Sequence, residues 1–465
     1  MSYSLRVAVN LDNLKLPVDP IQNTTLTNAF FTNHLYRGLI NEGLDGQLHP
    51  DLCTFYEWSE DEFICHFEDN TTVTANDALI SLHRSILHQQ NDHANIKYLL
   101  CSSEENSNSC LQKIFVRKNQ LIIKISEEQK KPLLLSLLSS INFKIIPAKA
   151  LDQAVPLSES KIIDYSITSG YYHIKNNDFS RLHANAKLYQ HHPQAPDTIE
   201  IINSNSHTVE SLLAENKIDI ISSTVPLTAD IDMSLRNKNW SKLETYPISV
   251  GLVVFSDKAA QESQISERFF VAKKISDEVN KLQIYGAQKT DEFIQFFGQG
   301  YLTKEQQENV RINRLQSTSV PQYVFTLGVS NPQKWEHLKQ DIPNLKIEKH
   351  NPNSILNGVK RSPDIMLLTN DVSFDNSFSF FAFAVKHGLL VAKNKKTEQL
   401  LLEFTLQRNS AEQAQYINQL HYESLLAAKV VPIFAAPYTT AMSHNIKGDI
   451  SKYNSRTLVW NFKKN

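Results

Sequence analysis

Short runs of alternating hydrophobic and polar residues dominate the first third of the chain, and they predict paired strands. Apolar positions in 52–67 and in 111–125 are each divided by a polar turn, so each segment predicts a β-hairpin. A spacing close to 3.6 residues predicts a helix over 28–40 and a short helix over 133–138. The first third of the chain is therefore predicted to be rich in hairpins.

Strands and helices alternate in the rest of the chain. The sequence predicts a strand over 198–203, a helix over 208–215 and a strand over 218–222, which is the order of a βαβ unit with parallel strands. The same alternation continues with strands at 250–255, 323–329, 345–349, 365–368 and 430–434, and with helices at 267–280 and 397–425. No segment repeats at a fixed period, which argues against solenoids and propellers. The pattern predicts an α/β fold.

The stretch Phe67–Arg84 predicts a strand, a tight turn and a capped helix. Asp69 and Asn70 both tolerate the left-handed backbone that such a turn requires. Thr74 is placed to cap the helix, and Asp77, three residues later, can bond back to the cap. The residue types alone predict a β-turn-α joint.

Composition and charge limit the classes of function. A chain of 465 residues is long enough for about three folding units, and 41% hydrophobic and 21% charged residues are typical of a globular protein with a large core. The net charge of −2 provides no basic surface, so no nucleic-acid partner is expected. No apolar run reaches the roughly 20 residues of a membrane span, and the N-terminus has no signal-peptide core. The protein is expected to be cytoplasmic or to have lost a leader.

Four cysteines, Cys53, Cys65, Cys101 and Cys110, allow two disulfides in an oxidising compartment. Cys53 and Cys65 lie on the two predicted strands of one hairpin, and Cys101 and Cys110 bracket a polar loop. Four unpaired thiols are the equal alternative. The absence of Cys-x-x-Cys gives little support to a zinc site, so no metal ligands and no cofactor are expected.

The sequence contains no Gly-x-Ser-x-Gly, His-Glu-x-x-His or P-loop motif, so no catalytic residue is predicted. Among 16 histidines, two groups stand out: His191 with His192, and His83, His88 and His93. A spacing of five does not place side chains on one helical face. These groups are therefore predicted to be polar surface histidines.

The order of residues in Phe67–Arg84 resembles the signature of extracellular solute-binding protein family 5, which serves peptide and nickel ABC importers. Asn70 stands where the family usually has glycine, and Ala78 where it usually has valine. Further pieces resemble the family in the same order: Val18-Asp19-Pro20, Leu35-Tyr36-Arg37-Gly38-Leu39, the segment 46–52, Ser169-Gly170-Tyr171-Tyr172, Lys217-Ile218-Asp219-Ile220, the segment 268–272, Pro432-Ile433 and Ile446-Lys447-Gly448. The family's usual Gly-Glu pair is replaced by Asn216-Lys217. The chain therefore resembles a divergent member.

The resemblance implies an α/β fold of the two-lobed periplasmic-binding-protein type II clamp (cluster C). Lobe I is expected over 1–41, 164–245 and 432–465, and a β-rich domain over 42–163 is inserted into it. Lobe II is expected over 246–431. A ligand would lie between the lobes and drive hinge closure.

The resemblance also implies a ligand-binding aspartate. Asp371 follows the apolar strand at 365–368 and matches the family's aspartate that meets the free amine of a bound peptide. The tryptophan and proline that usually accompany this aspartate are absent here. A solvated loop aspartate, or a helix cap, is the alternative.

Two further segments are expected to contact ligand. Asn23, Thr24, Thr25 and Leu26 are expected to form a strand that pairs with the backbone of a peptide, and an ordinary turn is the alternative. Gly251 and Leu252, on the strand that opens lobe II, are expected to face the cleft. No arginine near residue 365 matches a carboxylate clamp.

The function that the resemblance implies is that of a substrate-binding component of an ABC importer, not an enzyme. It would capture short peptides in an interlobe cleft and deliver them to a membrane permease. A nickel or other metal chelate, a small solute such as a glutathione-like tripeptide, and a ligand-sensing regulatory module are the alternatives. The protein is expected to be a monomer, periplasmic or anchored outside the cytoplasm, with its leader removed.

Overall fold

The computed structural model divides into two compact units. Unit 1 comprises Met1–Tyr246 and Tyr438–Asn465, and unit 2 comprises Pro247–Pro437. The structure describes residues 3–22, 25–69, 72–88, 99–100, 107–186, 188–293, 300–315, 319–350, 363–371, 381, 384, 395–406 and 410–465. The finer division into a lobe and an inserted β-rich domain stays a prediction.

Unit 1 contains, within its described residues, a seven-stranded sheet. Its central strand Ser4–Val9 pairs in parallel with Thr198–Asn203 on one side and with Ile220–Ile221 on the other. The helix Val209–Ala214 lies between those two strands in sequence, which confirms the predicted βαβ order. In spatial order the strands are Ser241–Glu244, Thr439–Met442, Ile220–Ile221, Ser4–Val9, Thr198–Asn203, Arg181–Ala184 and Tyr172–His173.

A second, four-stranded antiparallel sheet in unit 1 has its own hydrophobic core. Its strands in order are Phe55–Ser59, Glu62–His66, Gln120–Lys124 and Ile114–Arg117, which confirms both predicted hairpins. The described part of unit 1 also contains the helices Leu26–Leu35, Ala75–Leu87, Ser107–Leu111, Lys131–Ser139, Leu188–His191 and Ala229–Asn237, and the short strands Ile40–Glu42, Leu48–Pro50, Ile446–Lys447 and Lys463–Lys464. The helix Ala75–Leu87 packs against the last two strands of the sheet. This core is distinct from the cluster around the seven-stranded sheet.

The cap predicted at Thr74 is present. The backbone amide of Thr74 donates to the Asp77 carboxylate at 2.8 Å, and the Asp77 amide donates to the Thr74 hydroxyl, so the two residues form a capping box. Asp77 also accepts a hydrogen bond from the amide of Ala148 at 2.7 Å. The capped helix is thereby joined to the segment that leads out of the hairpin region. Asn70, in the predicted turn, lies outside the described residues.

A fully buried ion pair joins two of the segments that resemble family 5. Arg84 donates from Nη1 and Nη2 to the two carboxylate oxygens of Asp19, at 2.9 and 2.5 Å, and also donates to the carbonyl of Ser160. The side chains of Arg84 and Asp19 are 1% and 0% exposed. Breaking such a pair leaves one charge buried without its partner, which is costly.

The structure contains the disulfide Cys53–Cys65, so the alternative of four unpaired thiols is wrong. Cys65 is on the strand Glu62–His66, whereas Cys53 lies just before the strand Phe55–Ser59, with the two Cα atoms 5.3 Å apart and both residues buried. Cys110 is disulfide-bonded as well. Cys101, its predicted partner, lies outside the described residues.

Replacing both Cys53 and Cys65 by alanine should lower the free energy of unfolding of unit 1 by about 3 kcal/mol, because the bridge closes a loop of 12 residues in the unfolded chain. Urea unfolding of the oxidised proteins measures the difference. In dithiothreitol the wild type also loses this bridge, so its urea midpoint should become equal to that of the variant. Equal midpoints under oxidising conditions would show that the bridge adds no stability.

Unit 2 is built around a six-stranded sheet within its described residues. In spatial order the strands are Gln288–Lys289, Val430–Ala436, Ser249–Phe255, Ile365–Asp371, Thr326–Val329 and Lys346–Lys349. The strand Ser249–Phe255 is buried along its whole length and is antiparallel to both neighbours, whereas the last three strands run parallel to one another. Among the described residues, the helices of this unit are Asp257–Glu262, Ile265–Lys281, Lys304–Leu315, Leu338–Asp341, Lys395–Leu406 and Ser410–Ala427.

Arg268 links three chain segments in unit 2. It is 5% exposed, and its guanidinium donates to the backbone carbonyls of Ala260, Ser263, Ala427 and Ala428. Those carbonyls lie at or just beyond the ends of two helices, where they have no partner within the helix. Arg268 therefore supplies the donors that these helix ends need.

Candidate functional site

The residues predicted to bind ligand fall in both units. Asp371, Gly251 and Leu252 are in unit 2, and Thr25 and Leu26 are in unit 1. Asn23 and Thr24 lie outside the described residues. Ligand contact by any of these residues stays a prediction.

The prediction that Thr25 and Leu26 belong to a strand is wrong. Leu26 is the first residue of the helix Leu26–Leu35, and Thr25 is its N-cap. The Thr25 hydroxyl accepts from the amide of Asn28 at 3.0 Å and lies 3.1 Å from the carbonyl of Asn13, to which it can donate. A threonine in an extended conformation before a helix is a favoured cap, and this preference overrides its strand preference. The helix begins two residues before the predicted start at 28.

Asp371 is the last residue of the strand Ile365–Asp371, which is three residues longer than predicted. It is half-buried and pairs in register with Ser249, and Ser249 pairs with Ala436 on the opposite side. The chain enters unit 2 at Pro247 and leaves it at Pro437. The Asp371 carboxylate is thus at the end of the sheet where both crossings of the chain take place.

Gly251 and Leu252 lie inside the sheet of unit 2, on the strand next to Asp371. Leu252 is 6% exposed, and a Cβ on Gly251 would be 2.1 Å from the ring of Phe434. The pairing with the strand Val430–Ala436 shifts register between Gly251 and Leu252. Packing against Phe434 therefore accounts for the glycine without any ligand.

A cavity of about 270 Å³ lies entirely within unit 1, and the sequence patterns did not indicate it. Its lining comes from four widely separated parts of the chain. The lining residues are Asn33, Tyr36, Arg37, Asn41, Glu42, Gly43, Leu44, Asp51, Lys144, Tyr171, His192, Ser451, Asn454, Arg456, Leu458, Trp460 and Asn461. We call this space the unit 1 pocket. Such a set brings charged and aromatic groups together in a concave surface, as ligand sites do.

Arg37 and Asp51 form an ion pair in the wall of the unit 1 pocket. Arg37 donates from Nε to Asp51 Oδ1 at 2.6 Å and from Nη2 to the Asp51 carbonyl, while the amide of Gly38 donates to Asp51 Oδ2. The Arg37 guanidinium also lies 5.0 Å from the ring centroid of Tyr171. Both charges are therefore satisfied by protein groups.

Lys144 and Arg456 are the other two cations of the pocket. Lys144 is 5% exposed, and in the part of the chain that the structure describes its ammonium makes no hydrogen bond or ion pair. Arg456 donates from Nη2 to the carbonyl of Ser139 at 3.4 Å, while its Nη1 is buried with no acceptor among the described residues. Buried donors without an acceptor are rare in proteins.

Burial, helped by the neighbouring Arg456 and Arg37 and opposed by Asp51 and Glu42, lowers the pKa of Lys144 to about 7. Glu42 accepts from the side chain of Asn454 at 3.1 Å. The ammonium therefore carries its charge only part of the time near neutral pH.

Aromatic rings form the apolar side of the pocket. The ring of Trp460 lies 5.2 Å from that of Tyr171 and 6.0 Å from that of His192. Burial lowers the pKa of His192 to about 4, so this imidazole is neutral at physiological pH. Burial also raises the pKa of Tyr171 to about 12, which keeps its phenol neutral.

The histidines predicted to be on the surface are in part buried. His88 is 7% exposed, and its Nε2 lies 3.2 Å from the carbonyl of Ser160. His83 is half-buried and contacts the carbonyls of Leu111 and Ile114. His83 lies on the helix Ala75–Leu87 and His88 is its C-cap, and this helix packs against the four-stranded sheet. His93 lies outside the described residues.

No group of three or more His, Cys, Asp or Glu side chains that could hold a metal ion occurs among the described residues. In the same part of the chain, every helix is too short or too polar to cross a membrane.

Comparison with known proteins gives a match by structure but none by sequence. No family model matches the chain, and no curated protein matches it in a sequence search. Solved structures match over nearly all of both chains at low identity, which is evidence for a common fold and not for a common ligand.

Three solved structures illustrate the similarity. Haemophilus influenzae OppA in complex with RPPGFSPFR has a TM-score of 0.75 at 13% identity and covers 100% of this chain and 99% of its own. The dipeptide binding protein of Pseudoalteromonas in complex with Met-Leu has a TM-score of 0.76 at 14% identity and covers 99% and 100%. NikA from Brucella suis in complex with Fe(III)-EDTA has a TM-score of 0.73 at 12% identity and covers 99% and 100%. This chain therefore has, along its whole length, the fold of the family 5 solute-binding proteins that its sequence resembles.

Proposed function

We propose that this protein is the substrate-binding component of an ABC importer, which captures short peptides and delivers them to a membrane permease. The observation that carries the proposal is the full-length similarity in fold to OppA in complex with RPPGFSPFR and to a dipeptide binding protein in complex with Met-Leu. The protein acts as a monomer and not as an enzyme, and it works outside the cytoplasm. The disulfide Cys53–Cys65 supports that location, because disulfides persist in oxidising compartments.

Asp371 is the proposed partner of the free amine of the peptide. Asp371 ends a strand whose first two residues are buried, and the strand beside it, Ser249–Phe255, is buried along its whole length. A charge-assisted hydrogen bond between an ammonium and such a half-buried carboxylate contributes about 1.5–3 kcal/mol.

A second candidate function is the binding of a metal chelate. The similarity to NikA in complex with Fe(III)-EDTA favours it over other small solutes. A chelate brings its own ligands for the metal, so the protein need not provide a cluster of metal-binding side chains. A glutathione-like tripeptide and a ligand-sensing regulatory role are the remaining alternatives.

Titration calorimetry with di- to pentapeptides tests the proposal. The change Asp371→Asn keeps the shape of the side chain and removes its charge, so it should weaken the binding of a peptide with a free amine by about 10- to 100-fold. The same peptide with an acetylated N-terminus should bind the wild type and the variant equally, because it has no ammonium.

Asp277→Asn is the matched control, since Asp277 is an exposed aspartate of the same unit, and it should leave the affinity unchanged. Tight peptide binding that does not respond to Asp371→Asn would remove the role assigned to Asp371. If no peptide binds and Fe(III)-EDTA does bind, the proposed peptide function is replaced by the chelate function.

A further inference from the structure

The charges that line the unit 1 pocket do not balance. The cations are Arg37, Lys144 and Arg456, and the anions are Asp51 and Glu42. Arg37 is matched by Asp51 at 2.6 Å, whereas no carboxylate within the described residues forms an ion pair with Lys144 or Arg456. With Lys144 protonated, the lining carries one positive charge more than negative charges. A single negative charge would neutralise it.

Two hydrogen-bond donors of the pocket, on Arg456 and Lys144, also lack an acceptor among the described residues. The buried Nη1 of Arg456 has no partner among the described residues, and the Lys144 ammonium forms no bond there although the residue is only 5% exposed. A buried charged donor is strongly favoured to bind an acceptor, because burial has already removed most of its water. A carboxylate has two oxygens, so it offers an acceptor for each of two such donors.

The size and the walls of the pocket limit what else the ligand contains. A volume of about 270 Å³ lies at the lower end of the range of small-molecule sites, so the ligand is small. Tyr171 and Trp460 offer ring surfaces, and His192 is neutral. These walls favour an apolar body, and they disfavour a dianion such as phosphate.

We propose that the unit 1 pocket is a binding site for a small organic monocarboxylate with an apolar or aromatic body, held by Lys144 and Arg456. The site lies in unit 1 alone and does not depend on peptide binding or on Asp371. The carboxylate accepts hydrogen bonds from the two cations, and the apolar body packs against Trp460 and Tyr171.

Above neutral pH, the binding of a carboxylate at this site is accompanied by the uptake of a proton by Lys144. The groups that face Lys144 are Arg37, Asp51, Glu42 and Arg456, and together with burial they bring its pKa to about 7. The carboxylate binds the ammonium form, which is present below that value and is lost as the pH rises. The dissociation constant should therefore be nearly constant below about pH 6 and rise about tenfold from about pH 6 to about pH 8.

Benzoate is the probe, and benzamide is its uncharged counterpart of the same shape. Quenching or enhancement of Trp460 fluorescence, with titration calorimetry as the second readout, should detect benzoate and not benzamide. Inorganic phosphate should bind more weakly than benzoate. Calorimetry at about pH 8 in two buffers of different ionisation enthalpy should reveal uptake of a proton by the wild type, and this measurement needs no variant.

Lys144→Met removes the charge and keeps nearly the same side-chain length. It should weaken the binding of benzoate at least tenfold and abolish the dependence of the dissociation constant on pH. Arg456→Met should also weaken benzoate, whereas Lys149→Met, at an exposed lysine close by in sequence, should change nothing. Equal binding of benzoate and benzamide, no binding of benzoate up to about 10 mM, or an unchanged affinity in Lys144→Met would overturn the proposal.

Discussion

Replacing Arg84 by alanine is expected to lower the free energy of unfolding of unit 1 by about 3–5 kcal/mol, because the change leaves the Asp19 carboxylate buried without its partner. Asp19 is 0% exposed, and Arg84 supplies both of its charged hydrogen bonds. The carbonyl of Ser160 loses a donor as well. Urea unfolding, monitored by hydrogen exchange of peptides from unit 1, measures the decrease in the free energy of unfolding.

Arg117→Ala is the matched control, since Arg117 pairs with Glu62 in the same unit but is half exposed. This change should lower the free energy of unfolding by less than about 1 kcal/mol. The double variant Asp19→Ala, Arg84→Ala should be less destabilised than the sum of the two single changes, because no buried charge is left over. A small effect of Arg84→Ala, comparable with that of Arg117→Ala, would show that water reaches the pair.

Replacing Arg268 by alanine is expected to destabilise unit 2 by about 3–5 kcal/mol. Four backbone carbonyls lose their guanidinium donor at once, and two of the four hydrogen bonds, those to Ser263 and Ala428, are buried. Lysine at this position has three donors on one atom and cannot reach carbonyls on opposite sides, so Arg268→Lys should recover only part of the loss.

The fluorescence of Trp335, a buried tryptophan of unit 2, follows this transition when the three tryptophans of unit 1 are replaced by phenylalanine. Arg311→Ala in the same unit removes an exposed arginine that pairs with Glu308 and should cost less than about 0.5 kcal/mol. If Arg268→Ala and Arg311→Ala have equal effects, the helix ends near Ala260 and Ala428 do not need the guanidinium.

The hairpins, the βαβ order and the capping box could be predicted because each depends on residues close together in the chain. Alternation fixes which face of a strand is buried, and the Thr74–Asp77 spacing is a local signal. The wrong prediction of a strand at Thr25 has a local cause as well. Threonine is favoured both in strands and at helix caps, and only the helix that follows decides between them.

The unit 1 pocket could not be predicted from the sequence, because its charged residues come from distant segments. Arg37, Lys144 and Arg456 are separated by more than a hundred residues each, and although Arg37 lies in a segment that resembles the family, no local pattern indicates that the three side chains line one cavity. The same reasoning applies to Asp19 and Arg84. Both lie in segments that resemble the family, yet only the fold shows that they form one buried pair.

The path of the chain has a consequence for the order in which the protein is made. The strand Thr439–Met442 lies inside the seven-stranded sheet of unit 1, between Ser241–Glu244 and Ile220–Ile221. Unit 1 therefore cannot complete its sheet until residues 439–442 have been translated, after the whole of unit 2. Unit 2 comes from one continuous segment, so all of its strands have left the ribosome before the first unit can close.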